Sequence, residues 1–116
     1  MKTFYRVEHA DTGIGPYNGG DLDNMSHLLE MPIPVQDRRL RDSGAFSGYL
    51  KTSDYRYAFG SLEQLTAWFR RGDRHHLDKI GYHVVKFRAE GYHGTNQAVY
   101  FKHTRNEIET IKLTEV

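Results

Sequence analysis

At 116 residues, with 38% hydrophobic and 13% aromatic content, the chain has the size and apolar area for one buried core. Sixteen Lys and Arg against fifteen Asp and Glu leave a net charge of +1, which argues against a generic nucleic-acid binder and equally against an acidic mimic of nucleic acid. The lack of cysteine excludes disulfides, thiolate metal sites and a cysteine nucleophile, and no apolar run reaches signal-peptide or membrane-spanning length, so a reducing cytosol is the expected location.

Residues 3–9 alternate, with Phe4, Arg6 and Glu8 on one side and Tyr5, Val7 and His9 on the other, the period of a strand. A glycine-rich loop over residues 11–20 breaks it, with Tyr17 near its centre. The run Gly13-Ile-Gly-Pro-Tyr17 lacks the third glycine of a dinucleotide fingerprint and reads as a structural turn. Asp21 or Asp23 then caps a short helix with Leu22, Met25, Leu28 and Leu29 on one face, stopped by Pro32. Residues 32–54 show no sustained period and are expected to form a long irregular loop. Within it, Arg38, Arg39 and Arg41 are flanked by Asp37 and Asp42, which suits mixed-charge protein contact better than phosphate.

Residues 55–59 predict a strand, turned by Gly60 into a helix. Ser61-Leu-Glu-Gln64 is a capping box, and Leu62, Leu65 and Phe69 form a stripe with Trp68 beside it. Arg70 and Arg71 suit the C-terminal dipole of that helix, and Gly72 suits its C′ position. Residues 75–80 predict one more turn, closed by Gly81. From Tyr82 the period returns to two: residues 82–90 and 97–103 predict a hairpin around the turn-rich residues 91–96. Asn106 and Glu107 open a last strand, with Ile111 and Leu113 facing the core. The expected product is one α+β domain over residues 1–116. It is a small, twisted, mainly antiparallel sheet with the first strand inserted, a C-terminal β-meander and one or two short helices packed on it.

Chemistry-bearing constellations are sparse. A hairpin symmetric about His93 would set His83 opposite His103, but no third ligand is evident, and vicinal His75 and His76 are poorly spaced, so no metal is expected. Glu8 beside Arg6, and the pair Glu107 and Glu109, read as edge-strand charges. No Gly-x-Ser-x-Gly elbow is present, which disfavours a hydrolase.

Three groups of segments carry a resemblance: Phe4-Tyr-Arg-Val-Glu8 with Gly13-Ile-Gly-Pro-Tyr17, Ala58-Phe-Gly-Ser-Leu-Glu-Gln-Leu65 with Trp68-Phe69, and Gln97-Ala-Val-Tyr-Phe101. Together they resemble short accessory proteins of bacteriophages and prophages, over most of the chain outside residues 32–54. The resemblance implies a non-enzymatic factor, without a cofactor, that binds and inhibits a host protein complex in the host cytosol. A defence complex of the CRISPR kind is among the targets it implies. Tyr17, Arg38, Arg39, Arg41 and Tyr49 are the expected partner contacts, since Tyr and Arg are favoured at hot spots. The segment order also resembles the ADP-ribosyltransferase-like fold, which implies a nicotinamide-nucleotide site at Arg6, Ser61 and Gln97. Gln97 stands where that family usually has Glu and brings no negative charge, while Ser61 is already accounted for as an N-cap. A nucleic-acid-binding accessory protein is the third class, disfavoured by the charge balance.

Overall fold

The computed structural model describes residues 1–16, 37–42 and 55–116. Its elements in chain order are β1 (Lys2–His9), α1 (Arg38–Asp42), β2 (Tyr55–Ala58), α2 (Leu62–Trp68), α3 (Arg71–Lys79), β3 (Tyr82–Ala89), β4 (Gly91–His93), β5 (Ala98–Phe101) and β6 (Asn106–Ile111). Short 3₁₀ turns follow β5 and β6, at Lys102–Thr104 and Leu113–Glu115. The strands form two antiparallel three-stranded sheets, β1-β3-β6 and β2-β5-β4, so the α+β class stands. The predicted helix carrying Leu22, Met25, Leu28 and Leu29 lies outside the described residues. In the stretch expected to be irregular, Arg38–Asp42 is helical.

Three apolar clusters define the layers. Phe4, Val85, Phe87 and Ala89 of the first sheet meet Ala58, Ala98 and Tyr100 of the second. On its other face the first sheet offers Val7, Tyr82 and Val84 to Leu65, Trp68, Phe69, Leu77 and Leu113, the apolar faces of α2 and α3 and the last turn. Leu40 of α1 packs on Tyr55 and Val99 at the outer face of the second sheet. The layers therefore run α1, second sheet, first sheet, α2 with α3. Alternation along β5 produces this directly: Ala98 and Tyr100 point inward while Val99 faces α1.

The expected hairpin between residues 82–90 and 97–103 does not form. β3 instead lies between β1 and β6, with Phe87 opposite Phe4 and His83 opposite Glu8. His83 and His103 are therefore not paired. The chain leaves the first sheet after Ala89 and enters the second at Gly91, where β4 pairs with β5 through a four-residue connection over residues 94–97. Gly91 is the reason the crossing is possible. A Cβ there would collide with the Val99 carbonyl oxygen and lie 2.8 Å from Tyr100 Cα and 2.9 Å from Phe4 Cζ. A glycine that looked like a turn residue is thus a strand residue under close backbone approach. The two sheets are also joined directly, since Tyr5 and Phe59 exchange backbone hydrogen bonds of 2.8 and 2.7 Å.

The helix from Ser61 starts as expected, with the Ser61 hydroxyl accepting from the Gln64 amide at 3.1 Å. It stops earlier than expected. Phe69 is extended, and Arg70 becomes the N-cap of α3, its amide donating to the Asp73 carboxylate at 2.9 Å. Gly72 therefore lies inside the first turn of α3 rather than closing α2. Asp73 made the difference: a carboxylate three residues past Arg70 satisfies an orphan amide and restarts the helix.

Two glycines separate these roles by experiment. Gly91→Ala should cost roughly 2 kcal/mol or more, the scale of overpacking against backbone. Gly72→Ala meets nothing within 4 Å and should be neutral, or gain about 0.5 kcal/mol from reduced backbone entropy. Urea unfolding of both variants checks the contrast; equal stabilities would contradict the crossover.

Candidate functional site

The first polar cluster sits at the end of the inter-sheet core. Glu8 is 4% exposed on the same strand face as Phe4 and Arg6. Burying a lone carboxylate is costly, and three contacts offset it. Arg105 grips Glu8 with two hydrogen bonds of 2.5 and 2.8 Å, and Arg6 adds a third at 2.7 Å. Arg105 also reaches Glu107 at 2.9 Å, and its guanidinium carbon lies 4.5 Å from the centre of the Phe87 ring. Burial pushes the Glu8 carboxyl up, but the hydrogen bonds and charges of Arg105, then of Arg6, outweigh it and hold the group below its ordinary value. The Arg105 pKa is raised in turn, chiefly by its hydrogen bond to Glu8. This network ties β1 to the segment before β6 and uses the charges it contains.

A second cluster surrounds the turn between β4 and β5. Asp37 is 2% exposed, and its carboxylate accepts from the amides of Leu40, Thr95 and Asn96 at 3.2, 3.1 and 2.9 Å. Burial would raise its pKa, but this set of backbone donors lowers it below the ordinary value. On the other side, Gln64 donates to the carbonyls of Gly94 and Thr95 at 2.9 and 3.1 Å while accepting from Gly60 at 2.8 Å. The turn is clamped by α1 and α2 together. Gly94 is required there, since a Cβ would lie 2.6 Å from Asp37 Oδ2 and from Leu40 Cγ. The result fixes α1 in place, with Leu40 fully buried and Arg38 and Arg39 exposed.

The ADP-ribosyltransferase-like expectation places Arg6, Ser61 and Gln97 in one cleft. An open cleft of about 380 Å³ is lined by Thr3, Tyr5, Gly60, Ser61, Leu62, Glu63 and Lys86, and so contains Ser61 without the other two. Arg6 is held by Glu8 on the opposite strand face from Tyr5, and Gln97 is buried at the start of β5. Of the expected partner contacts, Arg38 and Arg39 are exposed on α1, and Arg41 belongs to the same helix. Tyr17 and Tyr49 lie outside the described residues. Among the described residues no group of three His, Asp or Glu could hold a metal ion, and no helix is long and apolar enough to cross a membrane.

Sequence reasoning missed Asp37, Arg105 and the second role of Gln64. Asp37 carried a local signal, an N-cap residue three before Leu40. Arg105 carried none, because its partner Glu8 is 97 residues away.

Comparison with known families gives the class first: this is a bacteriophage protein. The chain belongs to the bacteriophage T4 Y00F protein family, whose model matches residues 1–114. No curated protein and no solved structure matches it significantly. The family supports the resemblance to phage accessory proteins, and the comparisons lend none to the ADP-ribosyltransferase-like fold.

Acid stability should report the Glu8 network. Its folded-state pKa lies below the unfolded one, so its contribution is complete above about pH 5 and is lost as pH falls through the folded value. Glu8→Gln leaves two guanidiniums facing an amide and should cost on the order of 3 kcal/mol at neutral pH. Denaturation of the variant should also change less between neutral and acid pH than the wild type, the remaining sensitivity coming from Asp37. An unchanged acid limb would show that Glu8 does not carry it.

Proposed function

We propose that this phage protein is a non-enzymatic accessory factor that binds and inhibits a host protein complex in the host cytosol, with a defence complex as the target. The observation that supports it best is the anchoring of α1. Asp37 and Leu40 are buried, so Arg38 and Arg39 stand on a turn whose shape is set before any partner arrives. Preorganised side chains lose less freedom on binding, and arginine is enriched at hot spots. Among the described residues, Arg38 faces Asp42, at 3.7 Å and with both side chains largely exposed. Such a pair is worth little, so a partner carboxylate can replace it. Arg41 of the same helix, with Tyr17 and Tyr49, completes the proposed contact set.

The side chains first considered for chemistry are committed elsewhere, which favours binding over catalysis. Ser61 caps α2, and Arg6 neutralises Glu8.

A phage lacking the reading frame should plate less efficiently on a host with an active defence complex, and equally well on a host without one. Restoring the wild-type gene should recover plating, and Arg38→Ala with Arg39→Ala should not, although the variant keeps its melting temperature. Equal plating on both hosts removes the defence target. Failure of the wild-type protein to co-purify with any host complex removes the binding reading itself.

A further inference from the structure

Helix α3 carries a second cationic surface. Its buried side is Asp73 and Leu77, the latter packed into the cluster with Trp68, Phe69 and Leu113. On the opposite side Arg71, His75 and Lys79 follow at four-residue intervals, all exposed, in a row of about 12 Å. Exposed Arg70 precedes them.

Several of the other described cations are occupied. Arg6, Arg38, Lys86 and Arg105 face carboxylates, while Arg74 and Arg88 donate to the carbonyls of Phe69 and Met1. Among the described residues no carboxylate lies within ion-pair range of Arg70, Arg71 or Lys79. Two of these cations also sit at the helix N-terminus, where the macrodipole disfavours positive charge by about 0.3–1 kcal/mol each. Asp73 supplies the local compensation through its cap. The dipole thus disfavours Arg70 and Arg71 and favours Lys79, which lies in the last turn of the helix.

The helix is also held rigidly. Arg74 donates to the Phe69 carbonyl at 2.7 Å, fixing the joint between α2 and α3. Arg71 and Lys79 are separated by more than a Debye length of about 8 Å at physiological salt, so their mutual repulsion is largely screened. Each is free to meet its own carboxylate.

We propose that the row Arg71–His75–Lys79, with Arg70, is a docking face for an acidic stretch of a partner protein. This deepens the host-binding reading and rests on it for its biological role. The face lies on the opposite outer layer from α1 and is a separate contact. Charge complementarity favours protein over nucleic acid here. No aromatic ring of Phe, Tyr or Trp on α3 is available to stack a base, and the whole chain carries only +1, short of the basic excess of a nucleic-acid binder.

The test titrates a fluorescent polyglutamate peptide with the full chain at low and physiological salt. Binding should weaken at least about ten-fold in Arg71→Gln with Lys79→Gln, and by less than about two-fold in Arg38→Gln with Arg39→Gln. Lys79→Gln alone, remote from the helix cap, should show part of the same loss and keeps the test readable if the double variant unfolds. Absence of peptide binding, or equal losses from both double variants, would overturn the proposal. So would tighter binding of duplex DNA through Arg71 and Lys79, which would make the face a nucleic-acid surface. Because the peptide assay uses no host component, a failed co-purification removes the host-binding reading while leaving this result to stand or fall separately.

Discussion

In the first sheet the pair β1 and β3 is covered on both faces, and most of the structure follows from that constraint. The second sheet closes over Phe4, Val85 and Phe87, while α2 and α3 close over Val7, Tyr82 and Val84. A buried position on such a strand cannot carry unpaired charge. β1 nevertheless carries Glu8 at 4% exposure. Two guanidiniums are drawn to it for that reason, and Arg105 brings with it the chain segment that leads into β6. Such a pair is a poor source of net stability compared with apolar packing, yet removing one member is severe. It acts as a registration device: of the ways the last strand could dock, it favours the one that returns Arg105 to Glu8.

The switch between sheets at Glu90 and Gly91 is what allows the second layer to exist. Without it, β3 would continue into a flat meander and leave the Phe4 face to water. With it, β4 and β5 fold back over that face, and His93 hydrogen-bonds the Thr3 carbonyl at 2.9 Å while its ring meets Phe4 edge-on. The connection over residues 94–97 then lies where Asp37 and Gln64 can hold it from two directions. Position in the fold, rather than any local preference, turns these polar residues into clamps.

This explains which parts were legible in the sequence. Signals that act within four residues were readable: the Ser61–Gln64 cap, the period of two in β1 and β3, the apolar stripe of α2. The end of α2 was not, because Arg70, Arg71 and Gly72 imitate a C-terminus and only Asp73 shows that a second helix begins. Strand pairing was not readable either. Period two says that residues 82–90 form a strand, but not that Phe87 faces Phe4 instead of a residue of β5. At the candidate site, Arg38 and Arg39 were visible as charges. Their anchoring was not, since Thr95 and Asn96 stand almost sixty residues from Asp37.

The distribution of charge carries the functional argument one step further. With sixteen cations and fifteen carboxylates, nearly complete pairing was available to this chain. The fold spends its best geometry on Glu8 and Asp37, where burial makes an unmatched charge costly. It leaves arginines and a lysine exposed on α1 and α3, on the two outer layers. Exposed cations without ideal partners cost little in water, so stability alone neither demands nor forbids them. What stability does account for is the rigidity beneath them: Leu40 under α1 and Leu77 under α3 are both fully buried. A rigid, apolar-anchored helix with a cationic outer side keeps its geometry with or without a ligand. That property serves recognition of another surface better than it serves the repositioning of groups that catalysis asks for.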